Sequence, residues 1–393
     1  MFLLAFTTYA QVWKTLPKGV RVIGYRNVTT SQVSKNFNHT GQENSLGASF
    51  RIDASTFNDL TGNILERNLD PNIYGALTIG EYKVDAGAQF NVQGTGFGYG
   101  ITDNVMFYAE LAYFNARVNA KIKRTKGNSY EEVARMLEKN GGIQNNIFAE
   151  NLRQMIDVNE GIIQSALTNY YGYKPIGDWH GRGYGDMETG FMTKVIDKDI
   201  YGLLLYTGMI LPTGRIDDPD ILQDVGFGDG QFDFFGEVAS GYIFNDHINF
   251  GTNLRYTHQL PTDKTLRIPN ERDYQLSSKK GVFQVKYGDK INWSINSTLN
   301  FNNWISFTPI YRIMYQKDAS YESNYENANS YLRHNSSRLE HQVQLTTTLS
   351  SIKPFLNKDF LLPAQINMNF VKTTYGKNVP SLGRFELELR MLF

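Results

Sequence analysis

Apolar and polar residues alternate one for one along many short stretches of this chain. In the final ten residues, 384–393, every second residue is apolar and charged residues occupy the positions between them. Because successive side chains of a strand point to opposite faces, this spacing predicts an amphipathic β-strand. The segment closes on an aromatic residue, Phe393. Bacterial outer-membrane barrels commonly end on such a strand, although a soluble sheet could show the same alternation.

The same alternation recurs along most of the sequence. We predict further strands at 19–30, 82–99, 105–121, 184–195, 201–211, 232–244, 248–257, 291–301, 304–316, 338–350 and 363–374. The total is about twelve, an even number as single-chain bacterial barrels require. Short turns such as 101–104 alternate with long loops such as 212–230. The chain is therefore predicted to be all-β, a transmembrane antiparallel up-and-down β-barrel.

The order of the strands also predicts their orientation. If the strand at 19–30 runs outward, every short turn falls on one side, together with Phe393. Outer-membrane barrels place short turns in the periplasm and long loops outside the cell. The last strand should then pair with 19–30, so that no sheet edge remains open. Residues 11–393 form one barrel domain in this interpretation.

Two segments break the strand pattern. Residues 31–80 are polar and read as a large loop with a possible strand at 45–57. Residues 128–171 read as a helical insertion in an extracellular loop. Its first helix begins at Ser129, with Glu132 three residues later as a capping box, and a second helix is predicted within 147–170. Apolar residues at helical spacing indicate that the insertion packs on another part of the protein.

Composition supports a barrel over a helical membrane protein. Aromatic residues form 13% of the 393 residues, 35 glycines accompany them, and no window of about 18 apolar residues is present. Lys and Arg balance Asp and Glu at 39 each, which argues against a nucleic-acid partner. The chain has no cysteine. Residues 1–10 are predicted to be a residual signal peptide, with a short N-terminal strand as the alternative.

The inward face of the predicted barrel carries charged side chains. Candidate lumen residues are Glu110, Asp186, Glu188, Lys194, Asp233, Glu237, Arg255, Arg312, Glu340, Glu386, Glu388 and Arg390. Acids and bases could pair across the lumen and brace it, or some could line a polar permeation path and set its selectivity. On the other face, aromatic residues near strand ends are predicted to anchor the barrel at the membrane interfaces, with ligand stacking as the alternative. Examples are Trp293, Trp304, Tyr311 and Tyr315.

Other chemistry has little support in the sequence. The six histidines lie apart and form no zinc-binding spacing, and His341 falls on the predicted lipid-facing side. The carboxylates of 217–220 could hold calcium, but an ordinary solvated turn is the simpler interpretation. Glycines at 226, 228 and 230 fit turns rather than a phosphate loop. No Ser and His share a recognisable motif, so we predict no enzyme, no metal and no cofactor.

Three motifs resemble a known family. They are G-R-G-Y-G-D-M-E-T-G-F at 181–191, L-P-T-G-R at 211–215 and G-F-G-D-G-Q-F-D-F at 226–234. Together they are similar to the outer-membrane family of phenol meta-pathway degradation-like transporters. The resemblance implies a monomeric barrel related to uptake channels for hydrophobic compounds. Fatty-acid transporters are more distant relatives and carry a plug ahead of the first strand, for which this chain leaves little room.

The sequence therefore favours a passive channel in the Gram-negative outer membrane for small, apolar or aromatic molecules. The alternative is a non-conducting structural or adhesive surface protein whose lumen is blocked by its own ion pairs. The insertion at 128–171 could form a lid or a surface that collects substrate. Expected partners are outer-membrane lipid, lipopolysaccharide and the small-molecule substrate. Resemblance to outer-membrane barrels in general adds the barrel-assembly machinery, which would read Phe393 as part of its signal.

Overall fold

The computed structural model describes residues 13–54, 66, 69–272 and 276–393, so the predicted signal peptide at 1–10 lies outside the described residues. Twelve antiparallel strands close into a barrel, as predicted. The barrel strands are β1 (Arg21–Thr30), β2 (Thr78–Gly100), β3 (Val105–Lys126), β4 (Met187–Asp197), β5 (Tyr201–Leu211), β6 (Asp233–Ile243), β7 (Ile248–Gln259), β8 (Lys290–Asn300), β9 (Ile305–Gln316), β10 (Arg338–Ser350), β11 (Ala364–Lys377) and β12 (Gly383–Leu392).

The first and last strands close the sheet. Their register runs from Val22 opposite Leu392 to Thr30 opposite Arg384. At the end of the seam, the backbone N–H of Arg21 donates to the carbonyl oxygen of Phe393 at 2.8 Å, and the N–H of Phe393 donates back at 3.0 Å. The predicted pairing of the chain's two ends is confirmed. Closure gives every barrel strand two hydrogen-bonded neighbours, which a wall immersed in lipid requires.

The outer surface of the wall is apolar. On β12, Phe385 and Leu387 point outward and are 49% and 44% exposed, while Glu386 and Glu388 point inward and are 5% and 3% exposed. The same division holds along β8, where Trp293 faces out and the small polar residues face in. Apolar side chains on the face that meets lipid, with polar ones inside, are the pattern of a transmembrane barrel.

Turns and loops divide between the two ends as predicted, with two exceptions. Four tight turns and the chain end share one rim, which we call the periplasmic rim. The link 351–363 at this rim is longer and contains helix α6 (Ile352–Leu356). At the opposite, extracellular rim the loop 378–382 is short. Neither exception changes the direction of any strand.

Strands β2 and β3 are much longer than the others, with 23 and 22 residues. Their paired residues 78–90 and 116–126 extend beyond the extracellular rim as a two-stranded arm. A short strand, Ser49–Asp53, pairs with the tip of this arm within the predicted strand at 45–57, whose residues 55–57 lie outside the described residues. Another short strand, Trp179–Tyr184, pairs with the middle of β3. It precedes β4 in the chain and lies beside β3 on the extracellular side of β4.

The insertion at 128–171 is helical, as predicted. It contains α2 (Tyr130–Asn140), α3 (Ile143–Gln154) and α4 (Glu160–Ser165), and α4 continues as a π-helical turn, Ala166–Tyr170. The preceding helix α1 (Pro71–Ala76) packs with them, and a further helix, α5 (Glu326–Arg333), lies in a later extracellular loop. In the described part of the chain, no helix is long and apolar enough to cross a membrane.

The prediction that a capping box begins α2 is wrong. Ser129 does occupy the N-cap position, but its side chain makes no hydrogen bond within the helix. Its hydroxyl instead accepts from the backbone N–H of Thr78 and donates to the carbonyl of Ala76, both at 2.8 Å. Ser129 therefore joins the helix to the tip of the arm, a tertiary contact that competes with capping.

Two small extracellular sheets were not predicted. One contains Thr262–Arg267, Lys280–Lys286 and Ser320–Glu322, and the other contains Lys35–Phe37, Glu43–Ser45 and Val379–Pro380. Their strands are only two to seven residues long. Alternation over so few residues is a weak signal, which explains why the sequence presents these segments as loops.

Candidate functional site: the barrel lumen

Inward-facing side chains fill the lumen. The structure buries nine of the predicted lumen residues and leaves Asp186, Lys194 and Arg312 half-buried. The nine are Glu110, Glu188, Asp233, Glu237, Arg255, Glu340, Glu386, Glu388 and Arg390. So many charges can be buried together only when they are paired and hydrogen-bonded, because an isolated charge in a dry interior is costly.

One charged group centres on Arg255. Its guanidinium donates two hydrogen bonds to the carboxylate of Glu188, at 3.1 and 2.8 Å, and lies 3.9 Å from Glu237. The hydroxyl of Tyr108 donates to the same Glu188 carboxylate at 2.8 Å. The guanidinium also lies 3.6 Å from the ring centroid of Phe235, close enough for a cation–π interaction. Side chains of β3, β4, β6 and β7 thus form one group, in which Glu188 binds both Tyr108 and Arg255.

A second charged group lies at the seam. Arg26 of β1 is 3.2 Å from Glu388 and 3.9 Å from Glu386 on β12. On β12 itself, Arg384 donates to Glu386 at 2.6 Å and Arg390 donates to Glu388 at 2.7 Å. Acids and bases therefore alternate along the inner face of β12. The interpretation of the sequence in which lumen charges brace one another describes this group well.

Between the two charged groups lies Glu110, directly opposite Glu188 in the register. One of its carboxylate oxygens is buried without a hydrogen-bond partner among the described residues. A cavity of about 10 Å³ adjoins it, lined by Gly24, Arg26, Gly94, Gly96, Glu388 and neighbouring residues. That volume is at the lower limit for one water molecule. This cavity therefore has room for at most one water molecule.

An apolar strip lines one side of the lumen, and we call it the apolar track. Its lower part contains Trp13, Met106, Tyr108, Met192, Leu204, Tyr206, Ile210, Phe235 and Ala239. Its upper part contains Val28, Val92, Ala112, Phe114, Ala116 and Phe227. The opposite wall is polar, with Ser294, Thr298, Thr308, Gln344, Thr346, Thr348, Asn367 and Asn369 all buried. The lumen thus has two apolar clusters on the side of β1 to β6, where Glu110, Glu188 and Glu237 also lie, and a polar wall on β8 to β11.

Trp13 closes the periplasmic end of the apolar track. Its side chain is 1% exposed, and its ring packs so tightly against Gly202 and Gly241 that a Cβ atom at either glycine would overlap it. The indole N–H donates to Asp197 at 3.3 Å, and the Lys14 ammonium lies 2.6 Å from the same carboxylate. The short segment ahead of β1 therefore acts as a plug, although the sequence left little room for one.

A loop closes the extracellular end. In the loop 212–232, Phe227 stacks on Phe114 with ring centroids 5.1 Å apart and planes 7° from parallel. Asp186 holds this loop in place, because its carboxylate accepts from the backbone N–H of Gly214 at 2.9 Å and of Asp229 at 3.1 Å. Asp186, predicted to line the lumen, anchors the loop at the mouth.

The first small extracellular sheet covers the same mouth. Gln231 is fully buried and donates to the carbonyl of Val285 at 2.6 Å, which ties the loop to this sheet. Beside it, the ammonium of Lys264 lies 3.1 Å from the hydroxyl of Tyr287. Burial lowers the pKa of the Lys264 ammonium and raises the pKa of the Tyr287 hydroxyl to about 12. Both shifts reflect a water-poor environment under the loops.

Two more predicted lumen residues lie near the ends of the barrel. Lys194 is at the periplasmic end, 2.9 Å from the Asp197 carboxylate that also holds Trp13. Asp233 is at the extracellular end, where the side-chain amide of Gln259 donates to it at 3.2 Å and Lys290 lies 3.6 Å away. Each sits beside one of the two closures.

The last two predicted lumen residues belong to the polar wall. Glu340 accepts from Gln342 and from Thr373, both at 2.7 Å. Arg312 on β9 is half-buried and stands between Ser294 and Gln342 in the register. Arg26 is a lumen residue that sequence reasoning missed. It shares the inward face of β1 with Val22 and Val28, so the alternation that placed β1 could have found it.

Outward-facing aromatic residues occupy both ends of the barrel wall. Trp293 and Tyr315 lie toward the extracellular rim, while Trp304 follows a periplasmic turn. His341 points outward as predicted, and its Nδ1 lies 2.5 Å from the hydroxyl of Tyr311. The aromatic residues fit the predicted interface anchors.

The acidic turn at 217–220 is ion-paired rather than merely solvated. Asp218 lies 3.0 Å from Lys174, and Asp220 lies 2.6 Å from Arg267 and 2.8 Å from Lys280. Three cations therefore neutralise the turn, which removes the reason to expect calcium there. Over residues 13–54, 66, 69–272 and 276–393, no group of three Asp, Glu or His side chains is arranged to hold a metal ion.

No protein-family model and no curated protein matches the sequence. The structure is similar to the crystal structure of an outer-membrane channel from Pseudomonas putida F1, with a TM-score of 0.55 and 11% identity over 97% of this chain and 98% of that chain. It matches a toluene transporter of Ralstonia pickettii more weakly, with a TM-score of 0.36 and 8% identity over 96% of this chain and 90% of that one. The first likeness covers both chains almost completely and confirms the predicted resemblance at the level of the fold, an outer-membrane β-barrel.

Proposed function

We propose that this protein is an outer-membrane channel for the passive uptake of small apolar or aromatic molecules. The apolar track carries this proposal, because a water-filled pore has no need of two clusters of inward-facing Met, Leu, Tyr and Phe side chains. Burial of apolar surface is the main free-energy gain for such a solute. The polar wall and the charged groups would keep the barrel rigid while the solute moves along the track.

The channel is closed in this conformation. Trp13 fills the lower end of the track, and Phe227 covers the upper end against Phe114. Uptake would need both to move, and both lie on segments outside the strands of the barrel. The similar structures from Pseudomonas putida F1 and Ralstonia pickettii include an outer-membrane channel and a toluene transporter, which agrees with this class of substrate.

The proposal can be tested with purified protein in liposomes. We expect the protein to accelerate uptake of a small aromatic dye such as a naphthalene derivative, but not of glucose. Met192→Gln places an amide in the apolar track and should lower the aromatic rate, because that amide has no partner there. Gln344→Met on the polar wall is the matched control and should leave the rate unchanged. Equal rates with and without protein would refute the channel.

The filled lumen also favours a second candidate, a non-conducting structural or adhesive surface protein. The pair of Arg255 with Glu188 connects two strands that are not neighbours, and the pair of Arg26 with Glu388 connects the two seam strands; both occupy the lumen in the conformation described. This candidate predicts no aromatic uptake in liposomes. In cells, deletion would leave permeability unchanged and would instead weaken attachment or the integrity of the envelope.

Recognition of Phe393 by the barrel-assembly machinery is also a proposal. The side chain of Phe393 is 59% exposed at the periplasmic rim, while its backbone pairs with Arg21. The ring is therefore accessible once the strand has folded. Phe393→Ala should slow assembly in cells without changing the stability of the refolded barrel, which pulse-labelling of folded and unfolded forms would show.

A further inference from the structure

We propose that the outer wall of β3 and β4 binds the phosphate of a lipid A molecule in the outer leaflet. The site consists of Arg117 and Arg182, with His180 and Asn115 between them, and we call it the basic patch. It lies outside the lumen and does not depend on the channel proposal. The evidence for it is the order of the outward-facing residues along the barrel wall toward the extracellular rim.

The lower boundary of the basic patch is aromatic. Tyr113 on β3 is the register partner of Tyr184, and the two rings meet edge to face with centroids 5.2 Å apart. Both rings point outward, 38% and 56% exposed. Below them, the outward face of this wall carries exposed apolar side chains such as Phe191 and Met209, together with threonines. Tyrosines at this position mark the level where hydrocarbon gives way to headgroups.

The next two pairs above the tyrosines are cationic. Asn115 is opposite Arg182, and Arg117 is opposite His180. All four occupy outward positions, because the alternating residues Phe114, Ala116 and Val118 of β3 are buried on the inner side. Two guanidinium groups and an imidazole therefore stand directly above the tyrosine pair, at the height of a lipid headgroup.

The side chains of the patch are already held together. The His180 ring Nε2 lies 2.6 Å from the Asn115 amide oxygen and 3.4 Å from Nε of Arg182. One imidazole nitrogen cannot donate to the first and accept from the second, so these contacts compete. Neither Arg117 nor Arg182 has a carboxylate partner among the described residues, whereas Arg124 and Lys174, for example, are ion-paired.

Nearby acids do not neutralise the patch. On the arm above it, Asp85 is taken by Lys123 at 2.5 Å and Lys83 at 3.0 Å. Asp178 accepts from the amide of Asn119 at 3.0 Å and keeps its negative charge, but the cations Arg117, Arg182 and Lys121 outnumber it. Lys121 is also exposed on the same outward face. The surface therefore keeps a positive excess at a level where the surrounding lipid carries phosphate.

The arrangement suits one class of ligand. Guanidinium groups bind phosphate with two parallel hydrogen bonds, and Arg is preferred over Lys for that geometry. A ligand that also has acyl chains would lay them on the apolar wall below the tyrosines while its phosphate reached the arginines. Lipid A carries both parts, whereas a free phosphate would make no use of the wall.

Binding can be measured with the full-length protein in nanodiscs of a neutral phospholipid. The ligand is bisphosphorylated lipid A, and dephosphorylated lipid A is the comparison. We expect the double variant Arg117→Gln with Arg182→Gln to bind lipid A about tenfold more weakly or worse, because it loses charge-assisted hydrogen bonds. Both the wild type and the variant should bind dephosphorylated lipid A more weakly than the wild type binds bisphosphorylated lipid A.

A matched control removes the same charge elsewhere. Lys353→Gln with Lys358→Gln changes two exposed cations at the periplasmic rim and should bind lipid A like the wild type. Heat-modifiable migration in gels would show that each variant is folded, and aromatic uptake should be the same in all three proteins. Equal lipid A binding by the wild type and the Arg variant would overturn the proposal. Displacement of lipid A by inorganic phosphate at equal concentration would also overturn it, since the site would then be a simple anion site.

Discussion

The guanidinium of Arg26 lies 3.2 Å from the carboxylate of Glu388, across the seam where the first and last strands close the barrel. The two residues are direct register partners. Their side chains are only 12% and 4% exposed, so the pair is largely removed from water. The hydrogen bonds of the seam run along the backbone, and this ion pair adds a side-chain connection inside it.

We expect Glu388→Ala to destabilise the barrel by about 3–5 kcal/mol, because it removes the carboxylate that Arg26 and Arg390 share. Urea unfolding of the refolded protein in lipid vesicles, followed by tryptophan fluorescence, would measure the loss. Replacing both partners, with Arg26→Met and Glu388→Leu, should cost less than the single change, because only Arg390 then loses its carboxylate and Arg26 is no longer a buried charge.

An exposed ion pair provides the control for that experiment. Lys35 and Glu43 lie 2.9 Å apart in an extracellular loop and are 60% and 37% exposed. Exposed pairs contribute little, because water and salt screen them. Lys35→Gln should therefore leave the unfolding midpoint almost unchanged. If Glu388→Ala lowered the stability of the barrel as little as Lys35→Gln does, the seam pair would not brace the barrel.

Trp13 is expected to limit passage at the periplasmic end. Trp13→Ala removes the ring that packs against Gly202 and Gly241, so the lower end of the apolar track should open. We predict more frequent channel openings in planar bilayers and faster aromatic uptake in liposomes, because only the extracellular closure by Phe227 then has to move. Trp304→Ala changes a tryptophan on a periplasmic turn outside the lumen and serves as the control. An unchanged opening frequency in the Trp13 variant would show that another group closes the barrel.

The alternation of apolar and polar side chains predicts most of the fold. Twelve strands, their directions, the closure of β12 on β1 and the two faces of β8 all follow from it, because a barrel wall repeats one rule at every second residue. The charged residues of β12 were assigned inward for the same reason. Their partners were not assigned, because Arg26 is 362 positions away from Glu388 (388 minus 26) and only the register brings them together.

Features that depend on no repeating spacing of residues could not be predicted from the sequence. Trp13 follows the apolar stretch that resembles a signal peptide, and a single tryptophan has no spacing that could place it inside the lumen. Phe227 reaches the lumen on the loop 212–232, whose path depends on the close contact of Gly214 with Gly228 and on hydrogen bonds to Asp186. Ser129 was placed at the correct helix position, but its tertiary hydrogen bonds depend on where the arm ends. Such contacts become visible only when the chain is folded.

The helical insertion should unfold separately from the barrel. Val133 of α2 is fully buried among residues of α1, α3 and the arm. Val133→Asp would bury an unpaired carboxylate, which costs several kcal/mol, but the strands below do not depend on this cluster. We expect limited proteolysis to cut within 128–171 while the barrel stays heat-modifiable. Glu132→Gln, at the exposed neighbouring position, should resist proteolysis like the wild type. Loss of the folded barrel in the Val133 variant would show that the two parts are coupled.

Gly228 tests the closure of the extracellular end. A Cβ atom at this position would overlap the carboxylate of Asp186, which also binds the backbone of Gly214 and Asp229. Gly228→Ala should therefore displace the loop 212–232, separate Phe227 from Phe114 and increase both conductance and protease sensitivity of the loop. A Cβ atom at Gly177 would meet open space, so Gly177→Ala is the matched control. Asp186→Ala removes the same anchor without adding bulk and should raise conductance in the same direction. If Gly228→Ala raised the conductance and Asp186→Ala did not, the effect would come from steric displacement of the loop. The hydrogen bonds of Asp186 would then not be what keeps the mouth closed.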